Sequence, residues 1–262
     1  MRWIRVAWKL PAAVAITIAM AAVPALARLV LIGHPRSVDR VGAAATHWWG
    51  VTMCWILRVK REVQGDLPSG GAFLVASNHL SYLDILVLGS LYRSTFVAKR
   101  EIAGWPVFGL IARTAGTLFV DREQARDVVR AGREMADRLA SGVPLTIFPE
   151  GRSSPGVAVL PFLPSLLEPA ATSGVPCWAA ALGYEADGSE LPPSVTICWY
   201  DSYSFPAHIV RLMGLRRIVA RVRFASAPVS FADRKQLAQT LWTGVTAAFT
   251  PVRQAALGPP HA

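Results

Sequence analysis

The sequence predicts an α/β fold, a mixed and mostly parallel sheet flanked by helices, preceded by a membrane-associated helical hairpin at the N-terminus. Three observations carry this expectation. From about residue 62 short apolar runs of strand character alternate with helical stretches. Ahead of them lie an uncharged stretch from Leu10 to Ala27 and a second apolar patch over residues 48–57, and the basic residues gather at the two ends of the chain. At 262 residues the chain is long enough for one such domain and a small extra element. The expected division is 1–61 for the membrane anchor and 62–262 for the α/β domain.

Charge and hydropathy together narrow the partners. A formal charge of +10 on a chain that is 53% apolar fits a lipid bilayer better than a nucleic-acid surface. Residues 1–61 carry nine Lys or Arg against Asp39 alone, residues 62–207 carry a net −5, and residues 208–262 a net +7. Each Lys or Arg beside an apolar segment contributes about 1 kcal/mol of attraction to anionic headgroups. The expected partner is therefore a membrane surface with anionic lipids, and nucleic acid is not expected.

The first element opens on MRWIRVAWK and runs through Leu10–Ala27 to Arg28, marginally long for a spanning helix, with Pro11 and Pro24 near the ends of its apolar part. Trp48, Trp49 and Trp55 in the second patch suit a bilayer interface, so the two segments read as a hairpin dipping into one leaflet. The competing reading is a cleaved signal peptide ending at Ala25-Leu26-Ala27. Cys54, Cys177 and Cys198 have no CxxC spacing and sit in apolar runs, as buried reduced thiols do.

Strands are expected at residues 72–77, 95–98, 117–120, 145–148, 177–182, 195–199 and 219–224. An amphipathic helix is expected over residues 123–139, stopped by Ser141-Gly142-Val143-Pro144, and a second over residues 233–249.

Chemistry concentrates where strands end, the usual place for ligand sites in α/β sheets. In Ser77-Asn78-His79-Leu80-Ser81-Tyr82-Leu83-Asp84 a strand gives way to an apolar helical run over residues 85–91. Five residues on an ideal helix rotate by about 140°, so His79 and Asp84 meet only if His79 precedes the helix. Ser81 as N-cap achieves this and puts Asp84 at the third helical position. His79 would then be a general base oriented by Asp84. The alternative is a capping box, with Asp84 bound only to the Ser81 amide. Asn78 and Ser81, flanking the histidine, are candidate substrate contacts.

The run Ile147-Phe148-Pro149-Glu150-Gly151-Arg152-Ser153-Ser154 leaves a strand for a turn in which Glu150 can accept from a hydroxyl, Gly151 exposes backbone amide, and Arg152 can grip phosphate. Lys99 and Arg122 follow two further strands. In a parallel sheet Lys99, Arg122 and Arg152 converge on one edge, suited to a phosphate monoester.

These blocks, NHLSYLD, GTLFVDR and FPEGRSS, resemble those of the lysophosphatidate acyltransferases in the glycerophospholipid acyltransferase superfamily, in order and spacing over roughly residues 70–185. The resemblance implies catalysis by His79 and Asp84, acceptor phosphate on Arg122, and glycerol phosphate positioned by Glu150, Gly151 and Arg152. It further implies a lysophospholipid acceptor esterified at its free 2-hydroxyl, an acyl-CoA or acyl carrier protein thioester as donor, no bound cofactor and no metal. It places the chain at the inner, cytoplasmic membrane with its site facing the cytosol. A fourth block, VPCWA, departs from the family in having Ala179 where a second proline is common. Three other readings remain open at this level: the same chemistry on another lysolipid such as lyso-ornithine lipid, a non-catalytic binder of anionic lipid, and a serine hydrolase using Ser81 or Ser153.

Overall fold

The computed structural model describes residues 2–105, 108–121, 124–200 and 204–255. Helices α1 (Arg2–Val30) and α2 (Pro35–Leu57) form an antiparallel hairpin, and strand β1 (Val59–Gln64) follows α2 after a single residue. Next come β2 (Leu74–Ser77), α3 (Leu83–Gly89), β3 (Thr95–Lys99), α4 (Phe108–Thr114), β4 (Leu118–Val120) and α5 (Ala125–Ala140). The chain continues through β5 (Leu145–Ile147), α6 (Glu168–Ser173), β6 (Cys177–Asp187), α7 (Pro193–Thr196), α8 (Phe205–Met213), β7 (Arg217–Phe224) and α9 (Arg234–Ala248).

The strands form one sheet in the order β1-β7-β6-β2-β5-β3-β4. All neighbouring pairs are parallel except β6 with β7. The mixed, mostly parallel sheet is thus as predicted, with the reversal confined to the β6–β7 junction. Helices cover both faces because alternate residues of the central strands are apolar in both directions. On β2, Val75 joins the core under α2, α3 and α8, whereas Leu74 and Ala76 join the core under α5, α6 and α9.

Two expectations need correction. Residues 195–199 are not a strand: Pro192 and Pro193 start α7, whose turn is closed by Thr196 N–H on the Pro192 carbonyl. The boundary at residue 61 falls inside β1, an edge strand that pairs with β7 along its whole length. The three cysteines are buried free thiols, as expected.

The hairpin is docked on the domain rather than appended to it. Gly50 of α2 lies so close to α3 that a β-carbon there would sit 2.7 Å from the Leu86 carbonyl oxygen. Helix α1 runs unbroken through Pro11 and Pro24, and it is tied down at both ends. Arg5 Nε and Lys9 Nζ donate to the carbonyls of Gly214 and Leu215, at 2.8 and 3.0 Å, and Arg28 Nη2 donates to that of Arg113, at 2.7 Å. Its outer face leaves Val14, Ile18, Val23, Leu26 and Leu29 exposed, and the helix is long and apolar enough to cross a membrane.

Candidate active site

Strand β2 ends at Ser77, and the five residues before α3 form the loop that brings His79 back over Asp84. Helix α3 begins at Leu83, with Tyr82 rather than Ser81 at its N-cap, so Asp84 is its second residue, not the third. His79 Nδ1–H donates to Asp84 Oδ2 at 2.7 Å. The same oxygen accepts the backbone amides of Leu80, at 2.6 Å, and Ser81, at 3.0 Å. The capping-box bond and the dyad, alternatives on sequence grounds, therefore coexist on one carboxylate. The other oxygen, Oδ1, accepts from Tyr184 Oη at 2.7 Å. Burial and the neighbouring carboxylate push the Tyr184 hydroxyl well above its usual range, which keeps it a donor.

Asp84 is fully buried, whereas the His79 side chain keeps 21% of its surface. With Nδ1 committed to Asp84, Nε2 carries the lone pair and can accept a proton. The ring stacks on Phe148, centroids 4.1 Å apart and planes 14° off parallel, which holds it in one orientation. Beside the dyad, Tyr82, Trp105, Trp199 and Phe205 pack edge to face with centroids 5.2–6.0 Å apart and form an apolar wall.

The turn after β5 wraps the same histidine. Ser154 N–H donates to the His79 carbonyl at 2.9 Å. The His79 backbone amide and Leu160 N–H donate to the buried Glu150 carboxyl. Burial pushes Glu150 up to about 8, the Asp84 charge adding to the effect and Arg152 opposing it. Its Oε2 meets no partner among the described residues. Gly151 adopts φ +79°, the left-handed conformation that lets the chain reverse there and leaves Arg152 exposed beside the dyad.

Not every predicted contact faces the cleft. Asn78 is buried and both ends of its amide are spent on Leu182: Nδ2 donates to the carbonyl at 3.0 Å, and Oδ1 accepts the amide at 2.7 Å. Ser81 is buried with Oγ accepting Leu83 N–H. These two side chains are spent on bonds within the protein and fasten the loop. Lys99 ends β3, about half exposed, 3.9 Å from Glu101. Arg122 lies outside the described residues. The preceding Asp121 has its amide held by Asp127 at 2.7 Å, and Asp127 in turn pairs with Arg100 and Arg130. Neither Ser81 nor Ser153 bonds the imidazole, since Ser153 Oγ donates to the Trp199 carbonyl, so the hydrolase reading has no nucleophile in place. Sequence reasoning missed Tyr184. Its signal was the two-residue period of β6, whose Ala180, Leu182 and Tyr184 all point to the dyad side.

A histidine–aspartate dyad spaced HxxxxD at the C-terminal edge of this sheet, wrapped by a Glu-Gly-Arg turn, defines the class as an acyltransferase domain. Comparison with known proteins agrees. The family model described as Acyltransferase matches residues 58–182. A 1-acyl-sn-glycerol-3-phosphate acyltransferase of Neisseria meningitidis serogroup B is 36% identical over 159 residues, 60% of each chain. A lyso-ornithine lipid O-acyltransferase of Pseudomonas aeruginosa is 33% identical over 218 residues, 80% of this chain and 83% of that one. The crystal structure of the 1-acyl-sn-glycerophosphate acyltransferase of Thermotoga maritima shares the fold, with a TM-score of 0.61 at 21% identity over 95% of this chain and 96% of that one. The chain belongs to the acyltransferase family of these lysolipid-acylating proteins. Its match spans about 60% of the length of the neisserial relative.

Proposed function

We propose that this protein moves a fatty acyl group from an acyl-CoA or acyl carrier protein thioester to the free 2-hydroxyl of 1-acylglycerol-3-phosphate, giving phosphatidate. The observation that carries the reading is the His79–Asp84 pair, with Nδ1 fixed at 2.7 Å and the ring partly open to solvent. His79 Nε2 takes the hydroxyl proton as the hydroxyl oxygen attacks the thioester carbonyl. Asp84 stabilises the imidazolium so formed. The tetrahedral intermediate collapses, the C–S bond breaks, and the imidazolium returns the proton to the departing thiolate. One ester and one thiol result, and no side chain is acylated.

Arg152 supports a phosphate-bearing acceptor, with Lys99 at the end of β3, the parallel neighbour of β5, and Arg122 following in sequence β4, one parallel strand further out. The neutral Glu150 carboxyl can meet a glycerol hydroxyl. A second acceptor, a lyso-ornithine lipid, is favoured by the Pseudomonas relative, whose match covers 80% of this chain.

The hairpin supports a membrane location. Helix α1, about 43 Å long by its residue count, has both ends bound to the α/β domain, which supports a monotopic anchor lying along the membrane interface over a helix projecting across the bilayer. A cytosolic thioester donor supports a site on the cytoplasmic side of the inner membrane, and the basic ends of the chain support contact with anionic lipids there.

The test is acyl transfer by membranes containing the protein, with lysophosphatidate or lyso-ornithine lipid and a long-chain acyl-CoA. His79→Ala lowers kcat by about a thousandfold, and Arg152→Ala raises KM for lysophosphatidate far more than for lyso-ornithine lipid. Equal transfer by wild type and His79→Ala would overturn the mechanism, and acylation of lyso-ornithine lipid alone would select the second acceptor.

A further inference from the structure

We propose that a cleft at the open end of the hairpin is a second, non-catalytic site that takes the phosphate of an anionic membrane-lipid headgroup. The cleft, about 540 Å³, is lined by Ile4, Arg5, Trp8, Lys9, Arg58 and Arg216. Four of these six residues are cations. None of them pairs with a carboxylate among the described residues, whereas Lys60, Arg100, Arg130, Arg138, Arg221 and Arg234 do.

Two of the cations are held in place by backbone carbonyls. Lys9, fully buried, donates to the carbonyls of Leu57 and Leu215, at 3.4 and 3.0 Å, and Arg5 Nε donates to that of Gly214, at 2.8 Å. Arg58 is the most telling. It stands at the end of α2 in the left-handed conformation, φ +59° and ψ +46°, and is the one residue other than glycine with positive φ among those described. Glycine is the usual occupant of that position, and a residue with a β-carbon is disfavoured there. Retaining arginine at a strained helix end is understandable if its guanidinium is needed in the cleft.

The surroundings select a lipid over a soluble phosphate. Ile4 and Trp8 form part of the wall while being 72% and 40% exposed, and Trp3 and Trp55 stand out at the same end of the hairpin. Such tryptophans beside cations mark the headgroup level of a bilayer. The outer face of α1 continues from there as exposed apolar side chains that would lie against acyl chains.

The site is separate from the catalytic one but opens towards the same end of the sheet. β1 lies three strands from β2, and Arg217 pairs with Asp187, seven residues beyond Ala180, the partner of Ser77. At about 3.3 Å per residue and 4.8 Å per strand the cleft is roughly 20 Å from His79. A lipid held there would seat the domain on the bilayer without occupying the acceptor position.

The test is titration of the full chain with dihexanoyl-phosphatidylglycerol below its micelle concentration, with dihexanoyl-phosphatidylcholine and inorganic phosphate in parallel arms. Wild type, Arg58→Gly, Arg216→Gln and Arg36→Gln are compared, the last an exposed cation at the opposite end of the hairpin. Arg58→Gly suits the backbone, so its Tm stays at or above wild type, while affinity for the phosphatidylglycerol falls about fivefold, the equivalent of about 1 kcal/mol per basic residue. Arg216→Gln falls similarly and Arg36→Gln is unchanged. Transfer to a short-chain acceptor is unaffected by Arg58→Gly, so failure here is distinguishable from failure of the acyltransfer reading. Equal losses in Arg36→Gln and Arg58→Gly would mean diffuse surface charge and overturn the site. So would unchanged binding in Arg58→Gly, and so would inorganic phosphate binding as tightly as the lipid.

Discussion

Replacing Asp84 by asparagine isolates the charge of the dyad from its geometry. Leu80 N–H and Ser81 N–H converge on Oδ2 at 2.6 and 3.0 Å, together with His79 Nδ1 at 2.7 Å. Three donors at one point force the introduced amide to place its oxygen there and its NH2 towards Tyr184, whose hydroxyl can turn to accept it. The histidine tautomer and the loop therefore survive in Asp84→Asn, and stability falls by no more than about 1–2 kcal/mol. What disappears is the attraction between carboxylate and imidazolium in the transition state. Two unit charges about 4 Å apart at an effective dielectric constant of about 20 interact by about 4 kcal/mol. At 1.36 kcal/mol per factor of ten this is a loss of about a thousandfold in kcat. Steady-state acyl transfer with saturating lysolipid and acyl-CoA, beside a thermal melt, measures both quantities. A loss below tenfold in kcat, with the melt unchanged, would refute a charge-stabilising role for Asp84. A raised KM at constant kcat would make it a positioning group for substrate instead.

Glu150, pushed up to about 8 from an ordinary value near 4.5, binds its proton more tightly folded than unfolded. Its contribution to stability is therefore complete below about pH 4.5, fades as pH rises to about 8 and is absent above that. Glu150→Gln, which mimics the neutral acid, flattens the fall of Tm between pH 5 and 8.5; an unchanged slope would mean that Glu150 does not titrate in that range. Gly50→Ala puts a β-carbon 2.7 Å from the Leu86 carbonyl oxygen and 2.8 Å from the Ser90 nitrogen, both backbone atoms that cannot yield. It destabilises by about 1–3 kcal/mol and lowers activity with it, and a wild-type melting curve would show that α2 does not rest on α3.

How much of this was legible in the sequence depends on how local each feature is. Strands β2 to β5 were predicted to within one or two residues because each is a short apolar run ended by turn-forming residues. β1 was missed because three of its six residues, VKREVQ, are charged: at the sheet edge only its first residue is buried. The run at residues 195–199 misled through Ile197 and Cys198, which are buried as a strand's would be, yet follow the short α7. The dyad was legible since five residues set its geometry. The bond that completes Asp84 comes from Tyr184, a hundred residues away in sequence; the two-residue period of β6 marks the face of Tyr184, but nothing local to either residue names the other as its partner.

The misplaced domain boundary has a mechanical meaning. A division at residue 61 treats the hairpin as an anchor joined to an enzyme, whereas α2 passes into β1 through Arg58 alone and presses its Gly50 onto α3. Asp84 sits in the first turn of that same α3, and Cys54 of α2 lies within 3.7 Å of the Leu86 carbonyl at its centre. The helix that orients His79 is thus packed directly against a helix of the N-terminal hairpin. A buried interface of this kind moves as one body, because close-packed interiors deform little. The position of His79 relative to the exposed apolar face of α1 is then fixed by this packing, so whatever seats the hairpin also sets where the imidazole stands.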